Sequence, residues 1–129
     1  VEAHVSSLDA GVVVRDLDAA LAFYRDLLGI REEGTNPVPG GGVMHRLRVG
    51  ESMLKLVRLE GGVPDGPKGD HFGHTGIRYL TITVEDFDGL LARCEAAGHP
   101  AVYGPTSMGP VRIAIIEDPE GNRVELLGR

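Results

Sequence analysis

The chain has 129 residues, 42% hydrophobic and 25% charged, with a formal net charge of −6. That length fits one domain able to bury a core without disulfides or a structural metal, and the acidic balance excludes a broad basic footprint for nucleic acid. No run approaches the roughly 18 apolar residues of a membrane helix, the start lacks a basic and apolar signal pattern, and the single cysteine, Cys94, forms no internal disulfide. The expectation is a cytoplasmic protein whose partner is a small molecule, with no nucleic acid and no membrane.

In chain order, residues 8–14 ("LDAGVVV") predict a strand. The following "RDLDAALAFYRDLLGI" switches to helical spacing, with Leu17, Leu21, Tyr24 and Leu28 on one face, Asp16 as N-cap and Gly29 as the stop. "REEGTNPVPGGG" reads as a turn-rich connection, with at most a short strand over 31–34, and its glycines fit no phosphate-binding spacing. "VMHRLRVGESMLKLVRL" predicts two strands around a tight turn at 49–52. Residues 60–76, dense in glycine and proline, read as a connector. Strand, acidic cap, helix and glycine then recur in "IRYLTITVEDFDGLLARCEAAGHP", and strand, turn, strand in "VRIAIIEDPEGNRVELL". Cys94 falls near Leu90 and Leu91 on the second helix and reads as core packing.

"VRDLD" at 14–18 matches "VEDFD" at 84–88, and "LKLV" at 54–57 matches "VELL" at 124–127, both at an offset of 70 residues. One offset at both ends indicates an internal duplication of a supersecondary unit. Strand alternation sorts Leu80 and Ile82 toward the helix and leaves Tyr79, Thr81 and Thr83 on a polar, uncharged face, with Asp9, Gly11 and Val13 in the corresponding places. Lys55 sits between Leu54 and Leu56, and Glu125 between Val124 and Leu126. The duplication therefore relates Asp9 to Tyr79 and Lys55 to Glu125, on one face of the sheet.

The run "VVVRDLDAALAFYRDLLGI" followed by "EDPEGNRVEL" resembles the vicinal oxygen chelate superfamily, which includes glyoxalase I, methylmalonyl-CoA epimerase, extradiol dioxygenases and the bleomycin- and fosfomycin-resistance proteins. The resemblance implies an α+β fold of two tandem β-α-β-β-β modules whose curved sheets enclose a cavity, commonly in a homodimer. Within a single domain of residues 1–129, module 1 covers about 6–60, the connector 61–76 and module 2 77–129. Metal-using members take one ligand from the first and one from the last strand of each module. Those places fall on Asp9, Lys55, Tyr79 and Glu125. Glu125 is the usual residue and Asp9 offers an oxygen, but an ammonium at Lys55 repels a divalent ion. The expectation is no resident cofactor, with Glu125 and Asp9 as the ligands should a divalent metal bind.

Without a metal, two carboxylates and one ammonium share the cavity, and Lys55 is the counter-ion expected for Glu125. Two readings stay open. In one, these groups are an internal ion pair left where a metal site once was. In the other, Glu125 or Asp9 is a general base, Lys55 stabilises an enolate-like oxygen and Tyr79 donates a proton or hydrogen bond. Substrate-contact candidates are Thr81, Arg112 and His45, the last favoured within the cationic run His45, Arg46, Arg48. Alternating charge on an edge strand otherwise faces water. Asp70, His71 and His74 in the connector read as solvated loop rather than a metal site.

Two functions follow from the resemblance. One is a lyase, isomerase or epimerase moving a proton next to a carbonyl. The other is a non-catalytic protein that sequesters an antibiotic or toxin, against which stands the low aromatic content of 5%. Ring-cleaving dioxygenase chemistry requires two histidines that Asp9 and Tyr79 do not supply.

Overall fold

The computed structural model describes residues 4–67 and 71–129. The chain divides into two compact units, Val1–Pro64 and Asp65–Arg129, and the division falls inside the glycine- and proline-rich connector.

Unit 1 runs β1 (Ala10–Val13), α1 (Leu17–Leu21), β2 (Arg31–Pro37), β3 (Gly42–Val49) and β4 (Ser52–Leu59). Unit 2 runs β5 (Tyr79–Thr83), α2 (Phe87–Ala96), β6 (Tyr103–Met108), β7 (Val111–Glu117) and β8 (Arg123–Gly128). Each unit has one four-stranded sheet, ordered β1-β4-β3-β2 and β5-β8-β7-β6. In each, the first and last strands pair in parallel and the remaining pairs are antiparallel. The parallel ladders keep the 70-residue offset: Ala10 faces Leu54 and Leu80 faces Val124, while Gly11 faces Lys55 and Thr81 faces Glu125.

The caps obey the same offset. Asp16 accepts from the Ala19 N–H at 3.0 Å, and Asp86 accepts from the Gly89 N–H at 3.1 Å, each satisfying a donor that a helix start leaves open. The first helix departs from its expected stripe. After Leu21 it widens into a π-type turn over Ala22–Leu27, with the Leu28 N–H donating to the Phe23 carbonyl at 2.9 Å. The buried set becomes Ala20, Leu21, Phe23 and Tyr24, and Leu17 and Leu28 are only half-buried. A five-residue hydrogen-bonded turn rotates the face, so the consecutive rings of Phe23 and Tyr24 both enter the core, edge to face at 4.8 Å.

Two strands that the β-α-β-β-β modules require are not marked as full strands by the residue pattern. The connection after Gly29 holds a full strand, β2, which continues to Pro37 with Pro37 opposite Val43. β6 has no counterpart in the residue pattern, and all six of its residues are exposed. Both are edge strands, where an unpaired side makes proline tolerable and polar residues normal, so neither shows apolar alternation.

Each core lies between the sheet and its helix. Unit 1 buries Val14, Leu21, Phe23, Tyr24, Leu47, Leu54 and Leu56, and unit 2 buries Ile82, Phe87, Leu90, Cys94, Ala114, Ile116, Val124 and Leu126. Burial raises the Cys94 thiol pKa above its ordinary value, as expected of a packed, unreactive cysteine.

Candidate functional site

Glu125 reaches its place through the turn before it. Asp118, 4% exposed, accepts from the N–H groups of Glu120 (2.9 Å) and Asn122 (2.8 Å) and from the Asn122 side-chain amide (2.9 Å). This closes the "DPEGN" turn and sets where β8 begins. Seven residues on, Glu125 is 9% exposed and accepts the Thr81 hydroxyl at 2.9 Å. Across β5 and β8 the pairs Tyr79–Arg123 and Thr81–Glu125 form neighbouring rows on one face. The Thr81–Glu125 row continues through Ile115 to Tyr103.

Rings lie over that face. Phe72 stands 6.1 Å from Tyr79 and 6.2 Å from Tyr103, which sit on opposite edge strands, so Phe72 spans the strands between them. His71 packs against Phe72 at 4.5 Å and Tyr103 at 5.3 Å. The three-residue metal set suggested by the connector is not described as a whole, because Asp70 lies outside the described residues; His71 instead joins the ring cluster.

In unit 1, Asp9 accepts the Met53 N–H at 2.8 Å, and its other oxygen lies 3.9 Å from the Lys55 ammonium, with both side chains about two-fifths exposed. The partner seen for Lys55 is thus Asp9, and that for Glu125 is Thr81.

Two expected contact residues stand on the other side of their sheets. His45 faces Leu56 across the ladder, on the core side with Leu47, and its Nδ1–H donates to Glu32. Arg25 of the helix holds the other Glu32 oxygen at 3.2 Å. These bonds, led by that from His45, hold the Glu32 carboxyl below its ordinary value against an opposing push from burial. Arg112 makes two hydrogen bonds to Asp88, at 2.8 and 3.0 Å, and lies 4.8 Å over the Phe87 ring, tying β7 to α2. The hydrogen-bonded guanidinium also holds the Asp88 carboxyl below its ordinary value. Both residues therefore clamp helix or edge strand to sheet, on the face opposite Lys55 in unit 1 and Glu125 in unit 2.

Two arginines share the faces of Lys55 and Glu125 instead. Arg46 is directly across from Lys55, and Arg123 directly across from Tyr79. The Nε of each is buried without a hydrogen-bond partner. The signal for Arg46 was in the hairpin: a two-residue turn between Val49 and Ser52 pairs Arg46 with Lys55 by counting back.

The metal positions of the resemblance do not fit a divalent ion. Lys55 offers an ammonium already beside Asp9, and among the described residues no three His, Cys, Asp or Glu side chains group to hold a metal. A surface depression in unit 1, lined by Val14, Arg15, Arg58 and Leu59 and by residues 61–64, contains none of the four positions. No helix among the described residues is long and apolar enough to cross a membrane.

Comparisons with known proteins agree with the fold. The chain is 30% identical to the lactoylglutathione lyase of Haemophilus influenzae over 125 residues, covering 88% of this chain and 85% of that protein. It superposes on the trypanothione-dependent glyoxalase I of Leishmania major with a TM-score of 0.71 and 27% identity, over 94% of this chain and 84% of that one. With TnmS3, an antibiotic binding protein from a Streptomyces species, the TM-score is 0.69 at 22% identity, over 98% of both chains, which is likeness of fold alone. Residues 3–126 match the Glyoxalase/Bleomycin resistance protein/Dioxygenase superfamily, and with two β-α-β-β-β units in one register the chain belongs to that superfamily.

Proposed function

We propose that this protein binds a small carbonyl compound and moves a proton on the carbon next to the carbonyl, as a lyase or isomerase of the glyoxalase type. The observation that carries the reading is Glu125, a buried carboxylate oriented by the Thr81 hydroxyl on a polar face shared with Tyr79 and Arg123. Glu125 takes the proton from the C–H bond, and the electron pair left behind moves onto the carbonyl oxygen. The Tyr79 hydroxyl and the Arg123 guanidinium are the donors for that developing oxyanion. Return of the proton to the same or the neighbouring carbon completes the turnover. Thr81 holds the carboxylate in one orientation. Lys55, with Asp9 as its counter-ion, is a second candidate cation, to be tested by itself. Relatives named as lactoylglutathione lyases support a lyase-type reaction. Assembly as a homodimer belongs to the same reading and is checked by light scattering.

A second reading has its own support. The aromatic residues are few, but His71, Phe72, Tyr79 and Tyr103 gather on one face of unit 2, with Phe72 66% exposed. Such a cluster suits a flat ligand held without chemistry.

One experiment separates them. Protein purified without added metal is assayed by elemental analysis and by ¹H NMR for exchange of α-protons into deuterated buffer, across 2-oxo compounds and acyl thioesters. The enzyme reading expects exchange with a member of the panel and far less than one metal per chain. Ligand-dependent tyrosine fluorescence without any exchange moves the sequestering reading ahead. Stoichiometric metal that disappears in Glu125→Gln overturns the metal-free assignment.

A further inference from the structure

The face of unit 1 that carries Lys55 has an excess of positive charge. One row across the sheet reads Gly11, Lys55, Arg46, Gly34, so two cations stand side by side with a glycine at either end. The Arg46 guanidinium lies over β2, since a methyl group on Gly34 would come within 2.7 Å of its Nη2. In the next row, Arg48 and Arg31 share one carboxylate: Arg48 donates to Glu33 through Nε and Nη2 at 3.1 and 3.0 Å, and Arg31 at 3.1 Å. Lys55 has Asp9 at 3.9 Å. Arg46 has neither an ion pair nor a hydrogen bond among the described residues, and its Nε–H is buried.

The buried Nε–H of Arg46 lacks the acceptor that water would give, and Lys55 stands opposite it on the neighbouring strand. An anion on the row supplies that acceptor. The Arg46 fork is planar and delocalised, which matches the two oxygens of a carboxylate. Because Asp9 offsets Lys55, the row itself keeps about one positive charge, that of Arg46, which suits a monoanion.

We infer that Arg46 and Lys55 form an anion site that takes the carboxylate of a small organic acid. The site goes beyond the proton-transfer reading and does not depend on it, because a protein that only sequesters its ligand would use the same two cations.

The test titrates sodium pyruvate into ¹⁵N-labelled protein, following the Arg46 Nε–Hε resonance, with calorimetry for affinity. The resonance shifts saturably. Arg46→Met and Lys55→Met each weaken binding about tenfold or more, the scale of a lost charged hydrogen bond. Arg58→Met, which removes an exposed charge from the opposite face of β4, leaves affinity within about twofold, since screened distant charges contribute little. Should Arg46→Met fail to fold, the wild-type resonance and Lys55→Met decide. No saturable shift in the wild type, or pyruvate binding unaltered by either substitution, overturns the site. Inorganic phosphate binding more tightly than pyruvate, with the same dependence on Arg46, overturns the carboxylate assignment. A failure here leaves the α-proton exchange experiment untouched, because that experiment reads Glu125.

Discussion

Asp118 and Glu125 are buried carboxylates seven residues apart, and their partners give them different roles. Asp118 accepts two backbone N–H groups and a side-chain amide, so its charge is consumed in holding the turn. Removing it leaves those donors without their acceptor, and Asp118→Ala is expected to cost about 2–4 kcal/mol in urea unfolding. Glu125 accepts one hydroxyl and keeps acceptor capacity beyond it, which the proposed proton transfer would use. Its position on the face shared with Tyr79 was legible because duplication and strand parity both single it out. The choice of His45 over Arg46 was not legible from chemistry alone. His45 shares a face with Leu47, and in this fold that face meets the core, opposite the face of Lys55. The His45–Glu32–Arg25 cluster has a pH consequence with a definite sign. Glu32 titrates below its ordinary 4.5 in the folded state, so its stabilising effect is complete above that value and is lost as pH falls through the lower folded value. Glu32→Gln should lower stability at neutral pH and flatten the acid side of the unfolding free energy below about pH 5, measured by urea titration at several pH values.

At the scale of elements, the helices and central strands were readable because burial writes periodicity into them. Leu54 and Leu56 point into one core and Val124 and Leu126 into the other, at the same offset. Leu56 and Leu126 are both fully buried, so Leu56→Ala and Leu126→Ala should each cost about 2–5 kcal/mol by urea unfolding. The edge strands β2 and β6 carry no such imprint, which is why "REEGTNP" reads as little more than a connection and "YGPTSM" shows no strand alternation. The cap of α2 supplies a test of local structure. A methyl on Gly89 would meet only the Asp86 carboxylate, whose side chain is 73% exposed and can turn aside, and in unit 1 Ala19 donates to the Asp16 cap at the equivalent place. Gly89→Ala is therefore expected to stabilise by about 0.4–1 kcal/mol, because it restricts the unfolded chain while the cap persists. A loss of about 1 kcal/mol or more in thermal unfolding would contradict this.

At the scale of the whole molecule, two copies of one topology carry different chemistry at equivalent positions. The place that holds Lys55 in unit 1 holds Glu125 in unit 2, and the Asp9 place holds Tyr79. Divergence between the copies sets an ammonium beside a carboxylate in unit 1 and a carboxylate held by a hydroxyl in unit 2. Sequence reading reached the fold and the four positions. It ranked Arg46 below His45, and it did not single out Arg123 or the ring cluster, because these depend on register across strands and on a loop beside the sheet, neither of which leaves a periodic trace. The central claim concerns Glu125 as the base. Its most direct test compares wild type with Glu125→Gln for α-proton exchange on a substrate found active with the wild type, with ligand binding measured on the same samples. The account predicts that exchange falls by about 10²-fold or more, the scale of a lost general base, while binding stays within about threefold. Exchange that survives in Glu125→Gln would contradict it.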